Sequence, residues 1–433
     1  MTVKMDAMPD PTTHDDAAVA RPTVDVSGLN LADATFVQLF TGIWPADLYG
    51  FYAEMRAERP VHRCEFGPMW VVTRYDDVQG VVRDRRFGKG EITAAELDLA
   101  FFDDRPSPNP HDGTSMVFLN PPEYTLQRAL ISRAFTPKRV DQLRGFVEHH
   151  VDALLDGVAE QGEVDVLESF AFDLPVHVIG ELVGVPDEMR DRFKVLVPEN
   201  GMFMEPGASA AQIERAAASR IEMFTAFGQL VYDRKREPRD DLITALIEAR
   251  EGDERLRRRD LIGILLLLFG AGFETTMNMI GNGLYTLLRH PEQLARLQAD
   301  PSLVPSAVEE MLRFESITQM IGRMALEDAE IGGVTIPKGE HVFPMLGSAN
   351  RDPARFPDAD RFDVGRTPNE HLAFSGGIRY CLGASLARME LNVLFERLIA
   401  RFPTMELLED APPWQPRVIV RGLERLPVRF GST

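Results

Sequence analysis

Cysteine is nearly absent: 433 residues contain two, Cys64 and Cys381. That excludes a disulfide framework, and neither has Cys or His neighbours at zinc-finger spacing. Positive charge is also short. Lys and Arg number 47 against 67 Asp and Glu, a net charge of −20, which argues against a nucleic-acid partner because phosphate binding wants a basic surface. The amino-terminal stretch MTVKMDAMPDPTTHDD has neither an apolar signal core nor a span long enough to cross a bilayer. No membrane anchor and a cytoplasmic location are therefore expected. Residues 1–30, rich in Asp, Pro and Thr, read as a flexible leader.

Against that scarcity, the placement of Cys381 stands out. It lies in FSGGIRYCLG (Phe374–Gly383), just before an apolar, helix-like run. Gly376, Gly377 and Gly383 let the main chain come close to a flat partner. A thiolate at a helix start gains from unpaired N–H groups and peptide dipoles, and Arg379 adds positive charge. The ordinary alternative is a buried structural cysteine.

A second stretch, Leu261–Pro291, is too apolar for a surface helix and reads as a core helix. Thirteen apolar or glycine residues, Leu261 to Phe273, fall short of a membrane span and end at Glu274. A carboxylate in such surroundings needs a partner, water or a purpose. Elsewhere, Val61–Glu65 and Met69–Arg74 read as a hairpin turning at Gly67 and Pro68, and Tyr75–Arg85 as a helix. Residues 87–117 form a long loop of the kind that walls a binding site. Asn120–Pro137 reads as one helix closed by Pro137, and residues 140–260 as mostly helical. Glu310 and Arg313 share a helical face, and two short strands turn at Gly332 and Gly333.

The Phe374–Gly383 stretch resembles the haem-binding loop of the cytochrome P450 family, with Phe374, Gly377, Arg379, Cys381 and Gly383 matching without substitution. Three more segments resemble that family in the same order. AGFETT (Ala271–Thr276) is similar to its oxygen-activation motif and Glu310–Arg313 to its core ion pair. NPPEYTLQR is similar to its propionate-contacting helix, with Asn120 and Tyr124 departing from the usual Asp and His. The resemblance implies a mainly α fold with a smaller β region: a triangular prism holding haem between the long central helix and the Cys loop, in a single domain over residues 31–433.

By the same resemblance, Cys381 is the iron ligand, and Arg128, Tyr124, Ala271, Arg323, His371, Phe374, Gly377, Arg379 and Gly383 border haem b. Glu274 and Thr275 deliver protons, Thr275 also bending the helix. Glu310 and Arg313 lock with an Arg of a later loop, Arg361 being the best match and Arg366 a second candidate. Phe101, Phe102, Val117, Met202, Phe203, Phe273, Ile317, Met320, Ile321, Val418 and Ile419 line the substrate. Cysteine-ligated haem pushes electron density toward O–O cleavage.

The implied reaction takes one atom of O2 into a hydrophobic small molecule: a steroid, terpenoid, polyketide or fatty acid. No flavin fingerprint or reductase region occurs along the chain, so electrons from NAD(P)H would arrive through a ferredoxin or flavodoxin with its reductase. Arg128, Arg133, Lys138, Arg139 and Arg388 are the expected docking set for that acidic carrier. A peroxide-driven peroxygenase and a non-enzymatic haem gas sensor or ligand carrier are the alternatives. The acid–Thr pair speaks against the first, and the lack of an output domain against the second.

Overall fold

The computed structural model describes residues 29–40, 43–65, 67–90, 116–202, 205, 208–252, 254–417 and 419–431. Helices dominate, and they are organised around Arg258–Leu288, 31 residues long. By length and composition this helix could cross a membrane, yet most of its apolar window is buried inside the protein. Helices Asp173–Val183, Ala210–Arg236, Val304–Phe314 and Ala384–Arg401 pack on it, and their apolar faces fuse into the largest core cluster. Burial over most of its circumference answers the near all-round hydrophobicity of its sequence.

Five strands form a sheet beside the helices. In chain order they are β1 (Val61–Arg63), β2 (Met69–Val72), β3 (Phe87–Gly88), β5 (Arg323–Ala325) and β8 (His341–Pro344), with spatial order β1-β2-β8-β5-β3. The β1–β2 hairpin pairs Val61 with Val72, as expected, and β2 runs parallel to β8. Between β5 and β8 a separate hairpin, β6 (Ala329–Ile331) and β7 (Val334–Ile336), turns at Gly332 and Gly333. Both glycines have positive φ, 57° and 80°, which explains their choice. A third sheet orders β4 (Glu163–Asp165), β10 (Pro427–Gly431) and β9 (Thr404–Leu407).

Local differences from the sequence reading have local causes. Pro137 does not close a long helix; Glu123–Ala134 ends first, and Pro137 opens Pro137–Gln142. There the Thr136 hydroxyl caps by accepting the Arg139 N–H, and a proline costs nothing at the first helical position. Cys64 is buried beside Asp33, which raises its thiol pKa, burial being the larger cause. Asp33 there accepts from His62, Asn30 and the Glu65 N–H. The leader through residue 28, and the candidates Phe101, Phe102, Phe203 and Val418, lie outside the described residues.

Candidate active site

The loop before helix Ala384–Arg401 is shaped by its glycines and by one ion-paired brace. Gly377 has φ 63°, and a Cβ there would come within 2.7 Å of the Val82 carbonyl oxygen, so no other residue fits against helix Tyr75–Arg83. Gly383 is different. Its φ is ordinary and a Cβ would meet nothing within 4 Å, so the chain's own packing does not require a glycine at that position. Cys381 donates its N–H to the Phe374 carbonyl at 3.0 Å, and its side chain is solvent-accessible. The mass of protein around the sulfur pushes the thiol pKa up, while the Gly383 and Ala384 N–H groups, Arg128 and Arg388 pull the other way. Burial wins, so the protein alone favours the thiol, and a cation bound at sulfur would supply what the thiolate needs.

The brace runs behind this loop. Arg388 grips Glu309 with two N–H donors at 2.6 and 2.8 Å, and its guanidinium lies 4.5 Å over the Phe374 ring. Burial raises the Glu309 carboxyl, but Arg388 and His371 outweigh it and hold the pKa at about 2. His371 is part of this brace. Its Nδ1 accepts the Ala373 N–H, so Nε2 carries the proton and donates to Glu309 at 3.0 Å. Both ring nitrogens are engaged in these bonds.

A group of cations lies on the other side. Arg323, only 5% exposed, donates to its neighbour's Gly322 carbonyl, as does Lys89 at 3.1 Å. Arg379 reaches the Leu119 carbonyl and Asn120 Oδ1, with its guanidinium 4.3 Å over the Tyr124 ring. Among the described residues, none of the three pairs with a carboxylate. Burial, then each other's charge, pushes Lys89 down to about 7 and Arg323 to about 10.

Sequence reading missed Lys89, which is positioned from across the chain. Its N–H donates to Asn120 Oδ1 at 2.7 Å, and its carbonyl accepts from Asn120 Nδ2. The departure at Asn120 was therefore the available signal. The Tyr124 hydroxyl donates to the Ile378 carbonyl at 2.7 Å, and its ring supports Arg379. Arg128 donates to the Tyr380 carbonyl from an exposed position.

Along the long helix, Leu267, Gly270, Ala271, Glu274 and Thr275 are not buried, whereas Leu266, Leu268, Phe269, Phe273 and Thr276 are. That spacing is one helical face, so the mid-helix stripe opens onto a hollow. Thr275 donates its hydroxyl to the Ala271 carbonyl at 2.7 Å, the i−4 bond that mid-helix threonines compete for. The helix nevertheless continues unbroken through it. Glu274 is ion-paired with Arg417, each side chain 16% exposed. Phe273 faces the other way. It is fully buried against Phe172 at 4.7 Å, which makes it core rather than substrate wall.

Other substrate candidates divide between core and open positions. Ile317 joins the main core, and Met320 packs among Phe36, Leu39 and Met345, where core packing accounts for it. Val117, Met202, Ile321 and Ile419 are half-buried. Beneath them, Glu310 and Arg313 are fully buried and joined by two bonds of 2.8 Å. The third arm is Arg366, donating to Glu310 at 3.0 Å. Arg361 instead projects outward, 3.5 Å from Asp363, and gives the cluster only its carbonyl. Arg313 also holds the Asn350 carbonyl, and Asn350 Oδ1 accepts the Leu372 N–H, so this pair leads directly into the cysteine loop.

The sequence profile of the family described as Cytochrome P450 matches residues 48–421. The chain belongs to the cytochrome P450 family. Cytochrome P450 107B1 of Saccharopolyspora erythraea is 42% identical over 403 residues, covering 91% of this chain and 97% of the relative. The 6-deoxyerythronolide B hydroxylase of the same organism is 39% identical, covering 89% and 96%. Among solved structures, P450BioI in complex with acyl carrier protein ligated by hexadec-9Z-enoic acid superposes with a TM-score of 0.80 at 36% identity, covering 88% and 97%. The protein is accordingly an oxygen-incorporating oxidoreductase with the P450 fold, using haem iron and O2.

This P450's residues fit haem. Uncompensated buried cations are costly unless an anion arrives, and Arg323, Arg379 and Lys89 supply donors for two propionates. Space above Gly383 and an accessible Cys381 sulfur suit a flat group ligated through its metal.

Proposed function

We propose that this P450 is a monooxygenase that hydroxylates or epoxidises a hydrophobic small molecule of the steroid, terpenoid, polyketide or fatty-acid kind. Electrons come ultimately from NAD(P)H through a separate ferredoxin or flavodoxin with its reductase, in the cytoplasm, and residues 31–433 act as one catalytic domain. The observation that carries this reading is the carboxylate-free cation cluster of Lys89, Arg323 and Arg379 beside an accessible cysteine sulfur. The relatives support the substrate range: one hydroxylates 6-deoxyerythronolide B, and another structure holds a fatty acyl chain on its carrier protein.

When bound, haem supplies a thiolate-ligated iron at which dioxygen is reduced. Cys381 holds the metal from the loop side, its charge steadied by the Gly383 and Ala384 N–H groups. Arg323, Arg379 and Lys89 fix the cofactor's orientation through charge-assisted bonds. On the opposite wall, Ala271 and Gly270 leave room on the stripe. Thr275 Oγ1, anchored to the Ala271 carbonyl, keeps its lone pairs turned to accept a proton donor such as water. Glu274 is the adjacent carboxylate through which a proton from solvent would pass.

The test is product formation from a hydrophobic substrate library with NADH, ferredoxin and reductase, run alongside peroxide alone. Turnover that requires the electron chain supports the proposal. Turnover with peroxide alone, or haem binding without any product, contradicts it.

A further inference from the structure

Arg417 is the one residue that reaches Glu274 from outside the long helix among the described residues. It sits in a carboxyl-terminal loop closed at its base by the Trp414–Leu423 bridge and by Gln415, which bonds both Gly422 and Leu423 at 2.8 Å. Arg421 ties the same loop to the Ile317 carbonyl at 2.7 Å. These contacts fix both ends of the loop, and Arg417 carries one guanidinium to the edge of the stripe. A Cβ on Gly201 would lie 3.5 Å from Glu274 Oε2 and 3.6 Å from Arg417 Nη1. The ion pair thus stands where the end of helix Asp187–Gly201, the long helix and this loop meet.

Its construction differs from that of the structural ion pairs nearby. The Glu310 carboxylate is filled by Arg313, Arg366, Asn369 and the Asp363 N–H, at 0% exposure. Glu274 receives Arg417 alone, and both side chains keep contact with solvent. Among the described residues this is a single-point pair with guanidinium donors left over, one that an incoming anion can enter. A neutral carbonyl is a poor competitor, because a bond to an ionised acceptor is roughly twice as strong. The rest of the stripe is Leu267, Gly270 and Ala271, which offer apolar surface, and Thr275, whose hydroxyl proton is already given to the Ala271 carbonyl. These features select a molecule that is hydrophobic along its length and carboxylate-bearing at one end.

We propose that Arg417 is a specificity-determining residue that takes the carboxylate of a hydrophobic substrate, and that Glu274 occupies its place until then. The exchange returns the Glu274 carboxylate to the stripe beside Thr275, so filling the chamber and freeing the proton-handling acid become one event. The inference rests on the monooxygenase reading above, of which it narrows the substrate class.

The test is equilibrium binding to the haem-loaded protein, read by the spin-state change in its absorption spectrum, with palmitate and hexadecan-1-ol as matched probes. Palmitate is expected to bind roughly tenfold or more tightly than the alcohol, the scale of one hydrogen bond to a charged group. Arg417→Leu removes that preference while leaving alcohol binding within about twofold, and Arg417→Lys restores part of it. Glu274→Gln, which unmasks Arg417 without touching the loop, tightens palmitate severalfold and keeps the test alive if Arg417→Leu does not fold. Equal binding of the two probes, binding of neither, or an unchanged preference in Arg417→Leu overturns the assignment. A protein that loads haem with a thiolate signature yet shows any of those outcomes loses only the Arg417 role, whereas one that lacks the signature loses the monooxygenase reading itself.

Discussion

Lys89 puts its ammonium on the Gly322 carbonyl within reach of Arg323 and Arg379, and burial with those two charges lowers its pKa to about 7. A base held below its free value is mostly neutral at pH 8.5; a propionate beside it restores the charge. Loading haem into the cofactor-free protein at pH 8.5 in weak buffer releases the Cys381 thiol proton in both proteins, so wild type should take up close to one proton more, net, than Lys89→Met. Equal uptake by both proteins would remove Lys89 from the cofactor site. The sign follows from linkage: between about 7 and the ordinary lysine value, the haem-free folded state binds fewer protons than the unfolded one. Its stability therefore rises with pH by at most roughly 1.4 kcal/mol per pH unit through that window. Cys381 and Arg379 were proposed from one contiguous pattern, Phe374–Gly383, and Arg323 from its place in the family resemblance. Lys89 was not, since its place depends on Asn120, 31 residues away. For Tyr124 and His371 the sequence did not show which acceptor each donor takes, because tertiary contacts decide it: Ile378 for one and Glu309 for the other.

Among elements, the long helix was anticipated from its apolar run, but a motif read linearly hides the 100° step between successive side chains. Phe273 therefore turns into the core while Glu274 and Thr275 face the hollow. The Glu310–Arg313 pair was readable from its spacing on Val304–Phe314. Its third arm was not, because Arg361 and Arg366 lie in a loop without periodicity, where only the fold decides which guanidinium turns inward. That choice has a consequence. Arg366→Met strands part of a fully buried carboxylate and should cost about 3–5 kcal/mol in denaturant unfolding, with weakened haem retention. Arg361→Met removes only an exposed pair and should change stability by less than about 1 kcal/mol. Equal losses for the two variants would contradict the arrangement. Two prolines lie within helices: Pro175 in the first turn of Asp173–Val183, where its missing N–H costs no helical bond, and Pro198 inside Asp187–Gly201, where tertiary packing outweighs its local cost.

At the scale of the whole molecule, the charge of −20 makes the placement of the few uncommitted cations matter. Of the expected docking set, Arg133 pairs with Glu251, Arg139 with Asp240 and Arg388 with Glu309. Lys138 is exposed and has no carboxylate partner among the described residues. Steering of an acidic electron carrier should fall on it more than on the paired arginines. Lys138→Glu is expected to slow reduction by a ferredoxin severalfold at low ionic strength, with the gap closing near about 1 M salt, where the Debye length is about 3 Å. A gap that persists at high salt, or no gap at all, would place docking elsewhere. The central claim is that Cys381 holds haem iron through its sulfur, and the absorption spectrum of the reduced protein under carbon monoxide tests it most directly. The wild type should show the red-shifted thiolate-type band, and Cys381→His should bind haem with that band replaced by an imidazole-type one. A wild-type spectrum without the thiolate band, or an unchanged one in Cys381→His, would contradict the account.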